Sequence, residues 1–268
     1  MKNLQVSTLM GCLLLLAIAV QGQTNNLLAG KWKTNWAKVA DDKWMLRTEV
    51  SNGIYRLFLD DLKQQGNTEA YKQFYPDTTR WATPEGTNNP LQVFYFSNAA
   101  YNNYPVVNIT YEAATAFCNW LTQKYLAADK QSFGRVVFRL PNREEWMSAA
   151  RGTTKDNRTY PWGSNFLRNN RGVYLCNFAH ADSIRPQAAY ITAPVNSFYP
   201  NLLGLYNVCG NVAEMLSEKG QAAGGSYLNG GYDVRIESIK NYKAAAPDIG
   251  FRVIMVKIAA EMAQAGPY

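Results

Sequence analysis

Few side chains in this 268-residue sequence are equipped for catalysis, and their types first decide what is excluded. One histidine, His180, is present, so no HExxH zinc site, no two- or three-histidine metal centre and no histidine relay can be assembled. A Ser-His-Asp or Cys-His site would have to use that ring, which stands in a polar loop beside Asp182 and reads as a loop-pinning imidazole. Of the four cysteines, Cys118 lies on an apolar helix face as a small hydrophobe. Cys176 and Cys209 lie in loop-like contexts and could form one disulfide in an oxidising compartment. Glu144 and Glu145 are adjacent helix positions that point apart, Asp60-Asp61 reads as a solvated helix edge, and Ser226 follows Gly-Gly without an evident base.

The elements that must hold these residues are legible in part. Ser51 is a good N-cap, and Ile54, Leu57, Phe58 and Leu62 then share one face of a helix that stops near Gly66. Thr110 caps a second helix, with Ala113, Ala116, Phe117, Trp120 and Leu121 at helical spacing. Asn142 followed by Glu145 resembles a capping box, with Trp146, Ala149 and Ala150 as the buried stripe and Gly152 as the stop. Short strands are expected at 135–139, 205–208 and 250–258. Beyond residue 155 the periodicity fades into turns such as Tyr160-Pro-Trp-Gly163 and Gly230-Gly231. So much irregular chain needs tying down, by bound ions or a disulfide. Trp81, Trp120, Trp146 and Trp162 read as core or corner residues, although a loop tryptophan can also stack on a sugar ring.

Lys2 followed by an apolar run from Leu13 to Val20 and then Gln-Gly-Gln reads as a cleaved export signal over 1–22, too short to span a bilayer. Leu9-Met-Gly-Cys12 resembles a lipoprotein box, but most of the apolar run follows the cysteine, which favours a non-lipidated exported protein. A segment 23–44 is expected as an N-terminal extension, 45–258 as one domain and 259–268 as a tail. The 27 basic residues outnumber the 20 acidic ones but are scattered, which disfavours nucleic acid as a partner and points to no basic helix face.

Several ordered segments carry a resemblance. They are Tyr104-Pro-Val-Val-Asn-Ile-Thr-Tyr-Glu-Ala-Ala, Phe138-Arg-Leu-Pro-Asn-Arg-Glu-Glu-Trp-Met-Ser-Ala-Ala-Arg-Gly152, Tyr160-Pro-Trp-Gly163, Asn201-Leu-Leu-Gly-Leu-Tyr-Asn-Val-Cys-Gly-Asn-Val-Ala-Glu-Met215, Gly224-Gly-Ser-Tyr227 and Gly250-Phe-Arg252. Together they resemble the sulfatase-modifying-factor family, whose founding members generate formylglycine. The resemblance implies an α+β fold, a variant of the C-type-lectin-like fold of the formylglycine-generating-enzyme type, with little regular secondary structure. Glu49-Val-Ser-Asn-Gly53, Tyr75-Pro-Asp-Thr-Thr-Arg-Trp81 and Val93-Phe-Tyr-Phe-Ser97 are further similar to the gliding-motility and type IX secretion lipoproteins of that family.

The resemblance also implies where chemistry should sit. Formylglycine generation uses copper(I) held by two cysteines, and their positions are occupied here by Asn229 and Val234. The ergothioneine-type branch uses three histidines, which one histidine cannot supply. Copper is therefore not expected. Calcium is: the family's ligand positions fall on Asn207, Gly210, Val212 and Glu214, hard oxygens on a tight turn. A second calcium site would begin at Asn177 and Phe178, but its aspartate position is Gln187 and its carbonyl falls near Ala189, which removes the charge. The resulting expectation is an exported, calcium-stabilised, non-catalytic scaffold or binding module. It would act with envelope or secretion-machinery proteins in the periplasm, outer envelope or extracellular space. The alternatives are an oxidoreductase of the same family with a rearranged site and a glycan-binding, lectin-like module.

Overall fold

The structure is a computed structural model that describes residues 32–82, 86, 89–128, 131–153, 158–180 and 191–258. The expected export signal with Cys12, the 259–268 tail, and Asp182, Gln187 and Ala189 lie outside the described residues. Among the described residues no helix is long and apolar enough to cross a membrane.

One antiparallel sheet organises the core. A single helical turn, α1 (Trp32–Asn35), leads into β1 (Trp36–Ala40) and β2 (Lys43–Leu46), which join β3 (Val136–Arg139) and β8 (Ile254–Lys257) in the order β1-β2-β8-β3. The segment 23–44, expected as an extension, thus supplies β1 and the start of β2. No strand was expected there: WAKVA and KWML hold one β-branched residue between them, whereas the equally short β3 (VVFR) and β8 (IMVK) hold two each. Alternation along the strands splits the core in two. Trp36, Leu46, Phe138 and Met255 face one cluster, whereas Ala37, Met45 and Ile254 face another.

The first cluster is covered by α2 (Asn52–Gln64) and α5 (Tyr111–Leu126), capped by the Ser51 and Thr110 hydroxyls as the sequence predicts. Phe58, Phe117 and Trp120 pack ring to ring between them, with centroids 5.4–5.9 Å apart. Asp61 corrects the reading of Asp60-Asp61 as a solvated edge. It is buried, accepts the Trp120 indole N–H at 2.9 Å and pairs with Lys124 at 2.7 Å. The short helices α3 (Thr68–Phe74) and α4 (Asn89–Phe94) follow α2.

The second cluster is closed by α6 (Arg143–Arg151), where Asn142 and Glu145 form a reciprocal capping box and Gly152 ends the helix at φ +71°. A small second sheet, β6 (Ile239–Asn241), β5 (Gln221–Ala223), β4 (Ala213–Met215) and β7 (Ile249–Gly250), runs in that order, with β4 and β7 parallel. The strand expected at 205–208 does not form. Its groups pair individually instead: the Tyr206 N–H with the Arg47 carbonyl at 2.8 Å, and the Tyr206 carbonyl with the Arg252 guanidinium at 2.7 Å.

Candidate functional site

Two buried polar clusters lie where the sequence places chemistry. The first follows β5. Gly224 and Gly225 both have positive φ, and a Cβ at either would fall 2.5–2.6 Å from a backbone oxygen, of Val208 and of Asp233 respectively. Only glycine allows this approach. It drives Ser226 into the interior, where its hydroxyl lies 2.7 Å from both the Asn229 carboxamide oxygen and Asp248 Oδ2. The Ser226 N–H donates to the same Asn229 oxygen at 3.0 Å, and Lys240 pairs with Asp248. Asn229 therefore closes a turn upon Ser226. Val234 is fully buried in an apolar cluster with Tyr160, Cys176 and Phe178. A carboxamide engaged in a turn and a valine in an apolar cluster offer no soft donor, so this pair does not fit copper(I).

The nearest thiols do not replace that pair. Cys118, Cys176 and Cys209 are free and buried, so the disulfide expected between Cys176 and Cys209 is not formed in this structure. Burial pushes the Cys176 thiol up to about 12 and Cys209 well above its ordinary value. Neither is a thiolate at neutral pH, and thiolate is the form that attacks or ligates soft metals. Ser226 is equally unsuited to nucleophilic attack, being fully buried with its carboxylate neighbour already paired to Lys240. His180 stacks on Tyr174 with centroids 3.8 Å apart, in keeping with a pinned loop ring.

The second cluster surrounds Arg252, which is fully buried. Its guanidinium grips Glu214 through Nε and Nη2 at 2.5–3.1 Å and donates to the Leu46 carbonyl at 3.0 Å. The Trp146 indole N–H takes the remaining side of Glu214 at 2.7 Å. A second buried carboxylate, Glu49, receives the Asn211 carboxamide at 2.7 Å and that of Asn207 at 3.3 Å. Burial pushes Glu49 up to about 8; the Arg252 charge opposes the rise and Glu214 adds to it. One guanidinium thus stands against two buried carboxylates, leaving one negative charge to be met by a proton or a cation.

This arrangement engages the residues of the expected calcium ligand set in other contacts. Glu214 has both oxygens committed to Arg252 and Trp146, so it brings no free oxygen to a calcium ion. Asn207 behaves differently. Its backbone is left-handed at φ +50°, its Oδ1 is buried without a hydrogen-bond partner, and its Nδ2 faces two oxygens, Glu49 Oε2 at 3.3 Å and the Pro194 carbonyl at 3.2 Å. The amide N–H groups satisfy both of those oxygens, and the buried, unpartnered Oδ1 is the oxygen left to a hard cation or a water. Glu49 was missed as a site residue because its acidic side chain is separated from Asn207 by most of the chain. The signal was an acidic residue two positions before the Ser51 N-cap of α2.

Gly210 and Val212 serve the turn. A Cβ on Gly210 would stand 2.3 Å from the Asn177 carbonyl, and Val212 packs beside Trp81 and Val107. The expected second calcium position is engaged otherwise: the Asn177 carbonyl accepts the Asn211 N–H at 2.7 Å, its amide donates to Ile191 O, and Phe178 is core.

Comparison with known proteins follows the same segments. The sequence profile of the sulfatase-modifying factor enzyme 1-like domain matches residues 30–257. A formylglycine-generating enzyme of Thermomonospora curvata is 34% identical over 144 residues, covering 52% of this chain and 39% of that protein. An inactive C-alpha-formylglycine-generating enzyme 2 of Bos taurus is 35% identical over 121 residues, covering 45% of this chain and 35% of that protein. The alignments thus span well under half the length of these curated relatives. Among solved structures, that of CarF superposes with a TM-score of 0.56 at 24% identity, covering 81% of this chain and 87% of the other. Treponema denticola variable protein 1 superposes with a TM-score of 0.54 at 17% identity, covering 80% and 84%.

Proposed function

Because the chain belongs to the sulfatase-modifying factor family, we propose that it keeps the fold of that family, a C-type-lectin-like variant, without its formylglycine-generating chemistry. The observation that carries this reading is the state of the two copper-ligand positions. Asn229 is spent on closing a turn over Ser226, and Val234 is sealed in an apolar cluster. The similarity to proteins named as inactive formylglycine-generating enzymes supports it. In this reading the chain is an exported binding or scaffold module of the cell envelope, allied to gliding-motility and type IX secretion proteins through the Glu49–Gly53, Tyr75–Trp81 and Val93–Ser97 segments. A structural calcium ion belongs to the same proposal, taken by Asn207 Oδ1 beside the Glu49 carboxylate in place of Glu214. When bound it would neutralise the buried negative charge.

The test is chemical. Purified mature protein loaded with copper(I) and offered a cysteine-containing sulfatase peptide should consume no oxygen and convert no thiol. Stoichiometric copper retention with peptide-dependent oxygen uptake would overturn the reading. Calcium analysis after dialysis should find about one ion per chain, which chelation removes with a lower Tm. A chelated protein that melts unchanged would remove the calcium from it.

A further inference from the structure

We propose that an open cleft between residues 158–175 and the turn at 199–202 is a binding site for a short acidic oligosaccharide. This deepens the binding-module reading, on which it rests, by naming a ligand class and a place for it. The cleft encloses about 960 Å³ and is lined by Trp162, Phe166 and Tyr199, by Arg158 and Arg168, and by amides such as Asn169. No aspartate or glutamate is among its described lining residues. Its volume suits about two or three sugar rings.

Its walls are preformed. The Trp162 ring stacks on Tyr160, centroids 5.2 Å apart and 8° from parallel, and its indole N–H is fastened to the Phe166 carbonyl at 2.8 Å. Arg168 lies over the Tyr174 ring at 4.0 Å, and the two residues form the bridge that closes the hairpin beneath the cleft. On the opposite side buried Asn201 holds the turn. Its amide donates to the Ala149 and Ala150 carbonyls at 2.8 and 3.0 Å, while its oxygen accepts from the N–H groups of Leu203 and Leu205.

Against these fixed walls two aromatic rings are left to solvent: Phe166 is 74% and Tyr199 68% exposed. Flat, exposed rings fixed by their backbones match the apolar faces of sugar rings, and guanidinium groups match carboxylate or sulfate. None of the eight strands among the described residues lines the cleft, so a peptide could not add to it as a strand, and the acidic peptide in the experiment below tests the other peptide modes.

The experiment is titration calorimetry of the mature, calcium-replete protein with trigalacturonate, a sulfated disaccharide, neutral maltotriose and a hexaglutamate peptide. The expected result is saturable binding of an acidic saccharide, about tenfold or more tighter than the neutral one and weakened by salt. Phe166→Ala and Tyr199→Ala should each lower that affinity without moving the Tm, since both rings are exposed. Tyr232→Ala, on the neighbouring 226–235 loop and 73% exposed, should leave it unchanged. No saturable binding, equal affinity for maltotriose, a preference for the peptide, or indifference to the Phe166 and Tyr199 substitutions would each overturn the cleft assignment. None of these outcomes touches the absence of copper chemistry, which the oxygen-uptake assay tests separately.

Discussion

The layer formed by α2 and α5 over the first sheet and the irregular chain described at 158–180 and 191–252 each bury an interior, yet the two interiors are held by different forces. In the first, rings and aliphatic side chains recur at the spacing of helices and strands, so burial comes from periodic apolar faces. In the second, apolar clusters such as Tyr160, Cys176, Phe178 and Val234 are cross-linked by buried polar residues with named partners: Glu214 with Arg252 and Trp146, Ser226 with Asn229 and Asp248, and Asn201 with two helix-end carbonyls. Apolar contacts degrade gradually on substitution, whereas a buried charge that loses its partner is strongly destabilising. The comparison predicts that the irregular region is the more brittle of the two.

The largest effect should come from Arg252 and Glu214. Glu214→Ala leaves a fully buried guanidinium facing only Glu49, and should cost about 3–5 kcal/mol in urea unfolding. Replacing both partners by methionine removes both buried charges and should recover a large part of that loss. If Glu214→Ala cost less than about 1 kcal/mol, the polar cluster would not be what holds this region, and the contrast would fail.

That contrast also explains which features were legible. The helices capped by Ser51, Thr110 and Asn142 could be read because cap chemistry and apolar spacing are both local. The motif residues around Asn207 and Gly224 could be located, but not their partners. Glu214 pairs with a residue 38 positions away and Asn207 with one 158 positions away, separations that no periodicity encodes. Asp61 was misread for the same reason, since its partners Trp120 and Lys124 belong to another helix. β1 and β2 escaped because they are poor in β-branched residues, while β3 and β8, no longer, could be read from theirs.

A middle-sized effect should appear in pH dependence. With no cation bound, Glu49 is expected to hold its proton up to about pH 8 when folded but only to about 4.5 when unfolded. The folded state therefore holds more protons across that window. Stability from this group is complete below about 4.5 and is lost as pH rises through 8, at no more than about 1.4 kcal/mol per pH unit. Thermal melts in chelator should fall between pH 5 and 8.5, Glu49→Gln should flatten the curve, and the calcium ion proposed above should restore the alkaline side. A wild-type curve that stays flat in chelator would mean that Arg252 alone balances both carboxylates.

The smallest effect should come from a cap in the periodic layer. The Thr110 hydroxyl accepts the Ala113 N–H at 3.1 Å, and Thr110→Ala should cost about 1 kcal/mol while leaving the fold intact. Asn142→Ala is the informative companion, because Asn142 belongs both to a helix end and to the polar cross-links. Its side chain takes the Glu145 N–H at 2.8 Å, while Glu145 in turn receives the Asn142 N–H, Arg139 and Lys43. Partial burial opposes the charge on Glu145, but Arg139, Lys43 and the Asn142 N–H together hold its carboxyl down at about 2. Loss of the Asn142 side chain removes one arm of that box and loosens the others, so its cost should exceed that of Thr110→Ala. Equal costs would show that the box acts as an ordinary cap, uncoupled from Arg139 and Lys43.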